Sequence, residues 1–431
     1  MTQNGTFRRT RGSSRVLRLA ADCCSVLLFS VAACCIVLFF SAGGVPHATA
    51  AAPANAGNPG GIHSVQNAIP GQYIVTLQNI DATQVPSVAA RLAHAHGGTL
   101  FHIYSHALTG FAVRMNAASA MALSHDPLVA SVEEDGVAHV DTTLTQSGAS
   151  WGLTRIDERE LNLNGMYSWD DHADGAGVTV YILDTGIRIT NQDFGGRASW
   201  GANFVDQTTT DGNGHGTHVA GIVGGTTYGV AKQVHLVAVK VLSDSGSGAW
   251  SGVIAGIDWV TANHIRPAVA NMSLGGGKVI AVNDAVENAI KARVTVVVAA
   301  GNNNANACNY SPASAPNAVT VGATDNLDRK ASFSNWGECV DLFAPGVGIT
   351  SDWIGSNTAI NTISGTSMAA PFVAGMAAME LELNPSATAG EVATEITREA
   401  TRDRVTNLPI SPMGTRNLLE YTDNVLSTPP F

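Results

Sequence analysis

A chain of 431 residues with 45% hydrophobic and 13% charged side chains can bury a sizeable core in one large domain plus a smaller one. Its formal net charge of −11 excludes the basic footprint of a nucleic-acid-binding protein. Its 45 glycines imply many tight turns and close backbone approaches.

The first fifty residues are a different material. Arg8, Arg9, Arg11, Arg15 and Arg18 precede an apolar run from Cys23 to Phe40, and small residues follow, ending in Ala48-Thr49-Ala50. A basic start, an apolar middle and an A-x-A end predict a secretory signal over residues 1–50. A signal anchor is the alternative, because the run is as long as the shortest membrane spans. Cys23, Cys24, Cys34 and Cys35 fall in this segment, so only Cys308 and Cys339 remain for the folded part. Two cysteines in an exported protein suggest one disulfide.

Residues 51–71, rich in Ala, Gly, Pro and Asn, read as a linker. From Gln72 the pattern sharpens. QYIVTL predicts a strand, VPSVAARLAHAHGG a helix closed by glycines, and LFHIYSHALTGFAVRM two strands. AASAMALSHD predicts a second helix and LVASVEED a last strand. Strand–helix–strand–strand–helix–strand is the small α+β, ferredoxin-like arrangement. It holds no evident catalytic cluster; His94, His96, His102 and His106 fit solvated or structural histidines better than a metal site.

A polar stretch, HVDTTLTQSGASWG, separates this unit from the rest. Beyond it, VTVYILD, VHLVAVKVL, AVANMSL, VTVVVAAG and AVTVGAT are short, apolar and rich in valine, as parallel strands covered on both faces are. The helical patterns SGVIAGIDWVTANH and AVNDAVENAIKAR lie between them. The prediction is an α/β fold: a doubly wound, mostly parallel sheet flanked by helices.

In such sheets function gathers beyond the carboxyl ends of the strands. Asp184 closes VTVYILD, where an acid is costly without a partner; a cap or turn is the plain alternative. In DGNGHGTHVAGIVGG, His215 lies between glycines that let other backbone crowd its ring. A metal pair with His218 is the alternative there, with no carboxylate third ligand nearby. Asn302 follows VTVVVAAG, as a turn former or as an N–H donor aimed into the cleft. In GTSMAAPFVAG, Ser367 reads as a helix N-cap, a nucleophile, or both, with Pro371 in a first helical turn. An acid that orients a histidine, a histidine that takes a serine proton, and an amide that holds an oxyanion together make a hydrolase.

YILDTGI, GHGTHVAG, MSLGGG, AAGNNN and GTSMAAP, in that order, resemble the subtilisin-like serine proteases of the proteinase K branch. YGVAKQVHLVAVKVL and NACNYSPAS look like aqualysin-type enzymes, and residues 72–143 resemble the family's inhibitor-type propeptide. The resemblance implies a secreted endopeptidase over residues 144–431, made as a self-processed zymogen cut near Thr143–Leu144. Its partners would be protein or peptide substrates and its own propeptide, as intramolecular inhibitor and chaperone; it would be a monomer. Membrane attachment through the first segment is the alternative to release.

By the same resemblance Asp184, His215 and Ser367 form the triad and Asn302 completes the oxyanion hole. Ser273, Leu274, Gly275 and Gly276, with Ala299, Ala300 and Gly301, would frame a pocket for an apolar or aromatic residue before the cut. Gly246, Ser247 and Gly248 would run beside the substrate as an extended strand. Cys308–Cys339 matches a family disulfide. The Pro316 and Ala318 carbonyls with Asp341 match a structural Ca²⁺ site, whose hard oxygen ligands suit that ion. Two departures stand out. Gly212 and Asp244 occupy the positions of a second disulfide, and Ala370 and Phe372 replace a hydroxyl residue and a histidine after the nucleophile. A catalytically silent relative used for binding is the alternative function. An esterase is disfavoured, because the acid comes first and the serine lacks a G-x-S-x-G elbow.

Overall fold

The computed structural model describes residues 60–65, 68–137, 143–409 and 414–422. The signal or anchor expected over residues 1–50 lies outside them. Among the described residues no helix is long and apolar enough to cross a membrane.

The N-terminal unit follows the expected order with one addition. Its elements are β1 (Ile62–His63), β2 (Ala68–Leu77), α1 (Val85–Ala95), β3 (Thr99–Tyr104), β4 (Gly110–Arg114), α2 (Ala117–Ser124) and β5 (Val129–Gly136). They form one sheet in the order β1-β5-β2-β4-β3. Alternation along β2 turns Tyr73, Val75 and Leu77 inward, onto Leu92 of α1 and Leu123 of α2. Gly110 is required where β4 crosses β2, since a Cβ there would lie 2.1 Å from the Val75 carbonyl oxygen. The expected linker is shorter than residues 51–71. Ile62–His63 pairs parallel to β5, and β2 starts at Ala68, because neighbouring strands satisfy backbone that its composition left open.

The larger unit opens with β6 (Thr143–Ser147), α3 (Trp151–Ile156) and β7 (Met166–Asp170). Then come β8 (Thr179–Asp184), β9 (Ala198–Asn203), α4 (His215–Gly224), β10 (His235–Lys240), α5 (Trp250–Asn263), β11 (Ala268–Met272), β12 (Gly276–Gly277) and α6 (Ile280–Lys291). The chain continues through β13 (Val294–Ala299), β14 (Tyr310–Ser311), β15 (Val319–Thr324), β16 (Leu342–Pro345), β17 (Ile349–Asp352) and β18 (Ile360–Ile363). It ends in α7 (Thr366–Leu383), α8 (Ala389–Glu399), β19 (Thr401–Arg402) and β20 (Leu418–Leu419).

The main sheet runs β19-β20-β16-β15-β13-β11-β8-β10-β9 and is parallel except for the β19–β20 edge. Every residue of β8, β11, β13 and β15 is buried, which accounts for their valine-rich runs. From β8 the chain builds outward to β9 and β10, then returns to β11 on the other side. That reversal makes a crevice beyond the carboxyl ends of β8 and β11. One core holds α4 and α7 against one face of the sheet, and a second holds α5 and α6 against the other. Phe372, 1% exposed, belongs to the first core; a Cβ on Gly152 of α3 would lie 2.4 Å from its ring.

The polar join is also structured. Thr143 and Leu144 pair with Asp170 and Trp169 in the antiparallel β6–β7 ladder, so the expected cut falls on a strand rather than in the crevice.

Candidate active site

Asp184 ends β8 fully buried. It accepts the Thr185 N–H at 2.7 Å, and both its oxygens lie within 2.9 Å of His215 Nδ1. The turn and cap alternatives for Asp184 thus give way to a carboxylate paired with an imidazole. His215 is the first residue of α4, after Gly214, whose φ of 102° favours glycine and whose Cβ would strike Trp353. Burial pushes the His215 imidazole down. The charge and hydrogen bond of Asp184, with the charge of Asp211, push it up, and the net direction is upward.

His218, the alternative metal partner of His215, is held by backbone carbonyls. It is fully buried, with Nε2 at 3.0 Å from the Ile349 carbonyl and 3.2 Å from the Asn361 carbonyl. Burial lowers its pKa to about 4, so it is neutral and holds α4 to β17 and β18. No group of three or more His, Cys, Asp or Glu suited to a metal occurs among the described residues.

Ser367 is the second residue of α7 rather than its cap; Gly365 is the N-cap and makes no side-chain cap bond. Pro371 lies inside the helix, beyond the first turn where it was expected. Its missing N–H would have bonded the Ser367 carbonyl, four residues back. That carbonyl instead accepts the Ser273 hydroxyl at 2.8 Å. The Ser367 hydroxyl donates to the Ser273 carbonyl at 3.1 Å, so the two serines bind each other in both directions. The structure does not form a Ser367–His215 hydrogen bond.

Asn302 is oriented by a residue that the sequence did not single out. Its Oδ1 accepts the Thr366 N–H at 2.8 Å and the Thr366 hydroxyl at 2.9 Å, which leaves its amide N–H₂ facing away. Thr366, fully buried, also accepts the Gly301 N–H at 3.1 Å. The only sequence signal for Thr366 was a hydroxyl directly before Ser367. Asn335 holds the other side of this loop, with Nδ2 on the Ala300 carbonyl and Oδ1 on the N–H groups of Asn303 and Ala305. A Cβ on Gly365 would stand 3.6 Å from both Asn302 Nδ2 and the Ser367 nitrogen. Beside Gly365 there is thus a space bounded by two N–H donors, one a free donor of the first helical turn.

The flanking residues expected to meet substrate line the same edge. Ser273, Leu274, Ala299 and Ala300 are buried, whereas Gly275 is exposed. Gly276 pairs with Ser311, and a Cβ on it would lie 2.9 Å from the Trp250 ring. Gly301, at φ 101°, passes so close to Asn335 that a Cβ would sit 2.5 Å from its amide nitrogen. The Gly246–Gly248 segment is exposed and begins as a turn, with the Ser243 N–H on the Ser247 carbonyl and φ 80° at Gly246. It is not a sheet strand here, because no neighbouring strand pairs with it.

Cys308 and Cys339 are bonded, with Cα atoms 5.4 Å apart. At the other two positions the Asp244 carboxylate fills the space of a Gly212 side chain, which would lie 2.2 Å from Oδ2. It pairs with the buried Lys240 at 2.8 Å. The residues of the expected Ca²⁺ site offer one carboxylate, partly engaged. Asp341 Oδ2 accepts the Thr320 N–H and Oδ1 meets the exposed Arg416 guanidinium at 3.2 Å. Burial pushes the Asp341 carboxyl up, against the Thr320 bond and the Arg416 charge. The oxygen donors suit a hard cation, and Arg416 competes for one of them.

An acid–imidazole pair, a helix-borne serine and a two-donor anion space at a parallel-sheet switch point define a serine hydrolase framework. Residues 175–417 match the Subtilase family model, and residues 72–141 match the Peptidase inhibitor I9 model. The extracellular serine proteinase of Thermus sp. (strain Rt41A) is 48% identical over 385 residues, 84% of this chain and 90% of that protein. The cuticle-degrading serine protease of Arthrobotrys oligospora is 47% identical over 329 residues, 74% and 80% of the respective chains. The solved structure of a cold adapted subtilisin-like serine proteinase is 51% identical, with a TM-score of 0.61, covering 64% of this chain and 98% of that one. The chain belongs to the subtilase family and is a serine endopeptidase, with an I9 inhibitor domain preceding its peptidase domain.

Proposed function

We propose that this endopeptidase works through Asp184, His215 and Ser367, with Asn302 and the Ser367 N–H as oxyanion donors. The observation that carries the reading is the Asp184–His215 pair beside the two-donor space at Gly365. Substrate binding turns the Ser367 hydroxyl from the Ser273 carbonyl to His215 Nε2. As Oγ attacks the scissile carbonyl carbon, Nε2 takes the hydroxyl proton, and Asp184 stabilises the resulting imidazolium. The carbonyl oxygen becomes an oxyanion held by Asn302 Nδ2 and the Ser367 N–H. Collapse expels the amine with the proton from Nε2 and leaves an acyl-enzyme. Water, deprotonated by His215, then releases the acid and restores Ser367. The open wall at Gly275 and the small side chains of Ala299 and Ala300 suit a broad preference for apolar or aromatic residues before the cut.

The I9 unit is its intramolecular inhibitor and folding partner, and the chain cuts itself near Thr143–Leu144. Because those residues already pair with β7 in the uncut chain, the β6–β7 ladder has to open for the join to enter the crevice and be cut. The arginine-flanked N-terminal run directs export, in keeping with the extracellular Thermus relative. The peptidase acts as a monomer. The Pro316 and Ala318 carbonyls and Asp341 hold Ca²⁺ in exchange for Arg416.

The direct test is labelling with a serine-directed fluorophosphonate and mapping of the modified peptide. Label on Ser367, lost in Ser367→Ala together with peptide hydrolysis, is the expected outcome. Undiminished hydrolysis by Ser367→Ala would exclude this assignment.

A further inference from the structure

We propose that Asp211 is a positioning residue for His215: a second buried carboxylate that fixes the turn from Asn213 to Thr217 and places another negative charge behind the imidazole. This rests on the catalytic reading of His215 given above. Asp211, 7% exposed, has no cationic partner among its hydrogen bonds and instead accepts from five donors. Oδ1 takes the Thr185 hydroxyl at 2.9 Å, the Asn213 N–H at 3.0 Å and the Gly214 N–H at 2.9 Å. Oδ2 takes the Thr217 N–H at 3.0 Å and its hydroxyl at 2.6 Å.

These donors bracket His215 in the chain. Asn213 and Gly214 precede it, and Thr217 lies two residues beyond. Thr185 closes the circuit: its hydroxyl donates to Asp211 and accepts the Gly216 N–H at 3.0 Å, while its own N–H bonds Asp184. The backbone on both sides of His215 and the turn after Asp184 therefore hang on one carboxylate. Gly214, the N-cap, has no side chain to satisfy the first N–H groups of α4; Asn213 Oδ1 takes that of His215, the Thr185 hydroxyl that of Gly216, and Asp211, four residues upstream of His215, that of Thr217. A carboxylate at a helix N-terminus is also favoured by the helix dipole.

The charge acts on the imidazole as well. The groups facing His215 are Asp184 from β8, Asp211 from the loop and neutral His218 on its own helix; Lys240 reaches the Thr185 carbonyl at 2.7 Å from β10. Of the two carboxylates, Asp184 has the larger effect and Asp211 adds to it in the same direction. Asp211 touches no reacting atom. It sets where the imidazole stands and how readily the ring holds a proton.

The test compares Asp211→Asn with Thr217→Val in the full precursor chain, processed to whatever active form each variant reaches. Asp211→Asn keeps the size and removes the charge; Thr217→Val removes one donor and leaves the charge. In Asp211→Asn, kcat/KM is expected to fall roughly tenfold to a hundredfold, with kcat carrying most of the loss, as for a misplaced catalytic group. Its acid limb is expected to move to lower pH. Thr217→Val is expected to lower the melting temperature without moving that limb. NMR titration of the His215 ring in each variant reads the same shift without turnover. If wild type hydrolyses peptides but the limb and the ring titration are the same in Asp211→Asn, Asp211 has only a structural role and the proposal is overturned. A wild type without peptide hydrolysis would instead overturn the catalytic reading, while the NMR comparison would still test the placement of charge. Should Asp211→Asn fail to fold, Asp211→Glu supplies the comparison: it retains the charge, so an acid limb that stays in place together with a lowered kcat is expected, and unchanged kcat overturns the positioning role.

Discussion

At the scale of single residues, orientation matters more than identity. Asn302 can serve as an oxyanion donor only if its oxygen is engaged elsewhere, and Thr366 engages it twice. Asn302→Ala should lower kcat by roughly 10²–10³, the size of the loss for the corresponding amide in subtilisin, with KM little changed. Thr366→Val keeps the N–H bond and loses both bonds of the hydroxyl, the one to Asn302 Oδ1 that orients the amide and the one from the Gly301 N–H. It should cost about tenfold in kcat, near one ordinary hydrogen bond, and steady-state kinetics on one peptide substrate checks both variants. The Ser367 reading also changes at this scale. Its local letters allowed a cap, and only the helix start at Thr366, after a Gly365 N-cap, removes that role.

At the scale of elements, α7 carries a defect that its neighbour repairs. Pro371 deprives the Ser367 carbonyl of its helical donor, and Ser273, just past the end of β11, supplies another. Ser273→Ala should therefore destabilise the fold by about 1–3 kcal/mol, the cost of leaving a buried acceptor unmet. Adding Pro371→Ala restores an N–H at the right position and should recover part of that loss. A double-mutant cycle on melting temperature tests this, and strict additivity would contradict it. The Gly212–Asp244 contact is a second such repair. The Asp244 carboxylate, paired with buried Lys240 four residues before it, fills the space beside Gly212, and Asn213 Nδ2 donates to the Asp244 carbonyl across the two loops. Gly212→Ala should lower the melting temperature, because its Cβ would overlap that carboxylate.

At the scale of the whole molecule, stability should depend on pH through a second acid site. Asp352, 2% exposed at the end of β17, faces Asp193, and its Oδ2 has no hydrogen-bond donor. Burial first, then the Asp193 charge, pushes the Asp352 carboxyl from 3.8 to about 8. Tyr228 beside them is raised too, by burial and by both carboxylates, while Arg197 and Lys232 are the cations nearest Asp193. A folded value above the unfolded one means that the folded state binds the proton more tightly. The stability linked to it is complete below pH 3.8 and is lost as pH rises to about 8. Melting temperatures across that window should fall less in Asp352→Asn than in wild type; parallel curves would contradict it. For calcium, chelation should lower the melting temperature, and Arg416→Ala should enlarge the effect by freeing Asp341 Oδ1.

The sequence by itself determined the α/β class, the central valine-rich parallel strands and the ends on which Asp184, His215, Asn302 and Ser367 lie. Strands buried on both faces must be apolar throughout, so their ends are visible as abrupt changes in composition. It also isolated Cys308 and Cys339 as the pair left for the folded part, which the structure joins. Short elements were not legible. Edge strand β9, the four-residue β16, the β17–β18 hairpin and the two-residue β19 and β20 carry too little periodicity to show until a neighbour supplies their hydrogen bonds. The same holds for β6, read as a polar join, which is a strand only because β7 lies beside it. Tertiary structure alone decided which way each polar group turns: Thr366 onto Asn302, Ser273 onto Ser367, Asp211 onto both sides of His215, and Asp352 toward Asp193. The first two pairs and the last stand 64 to 159 residues apart, and Asp211 acts within a loop where spacing varies freely. A hydrogen bond is a matter of distance and direction in space, and a composition pattern read along the chain holds neither.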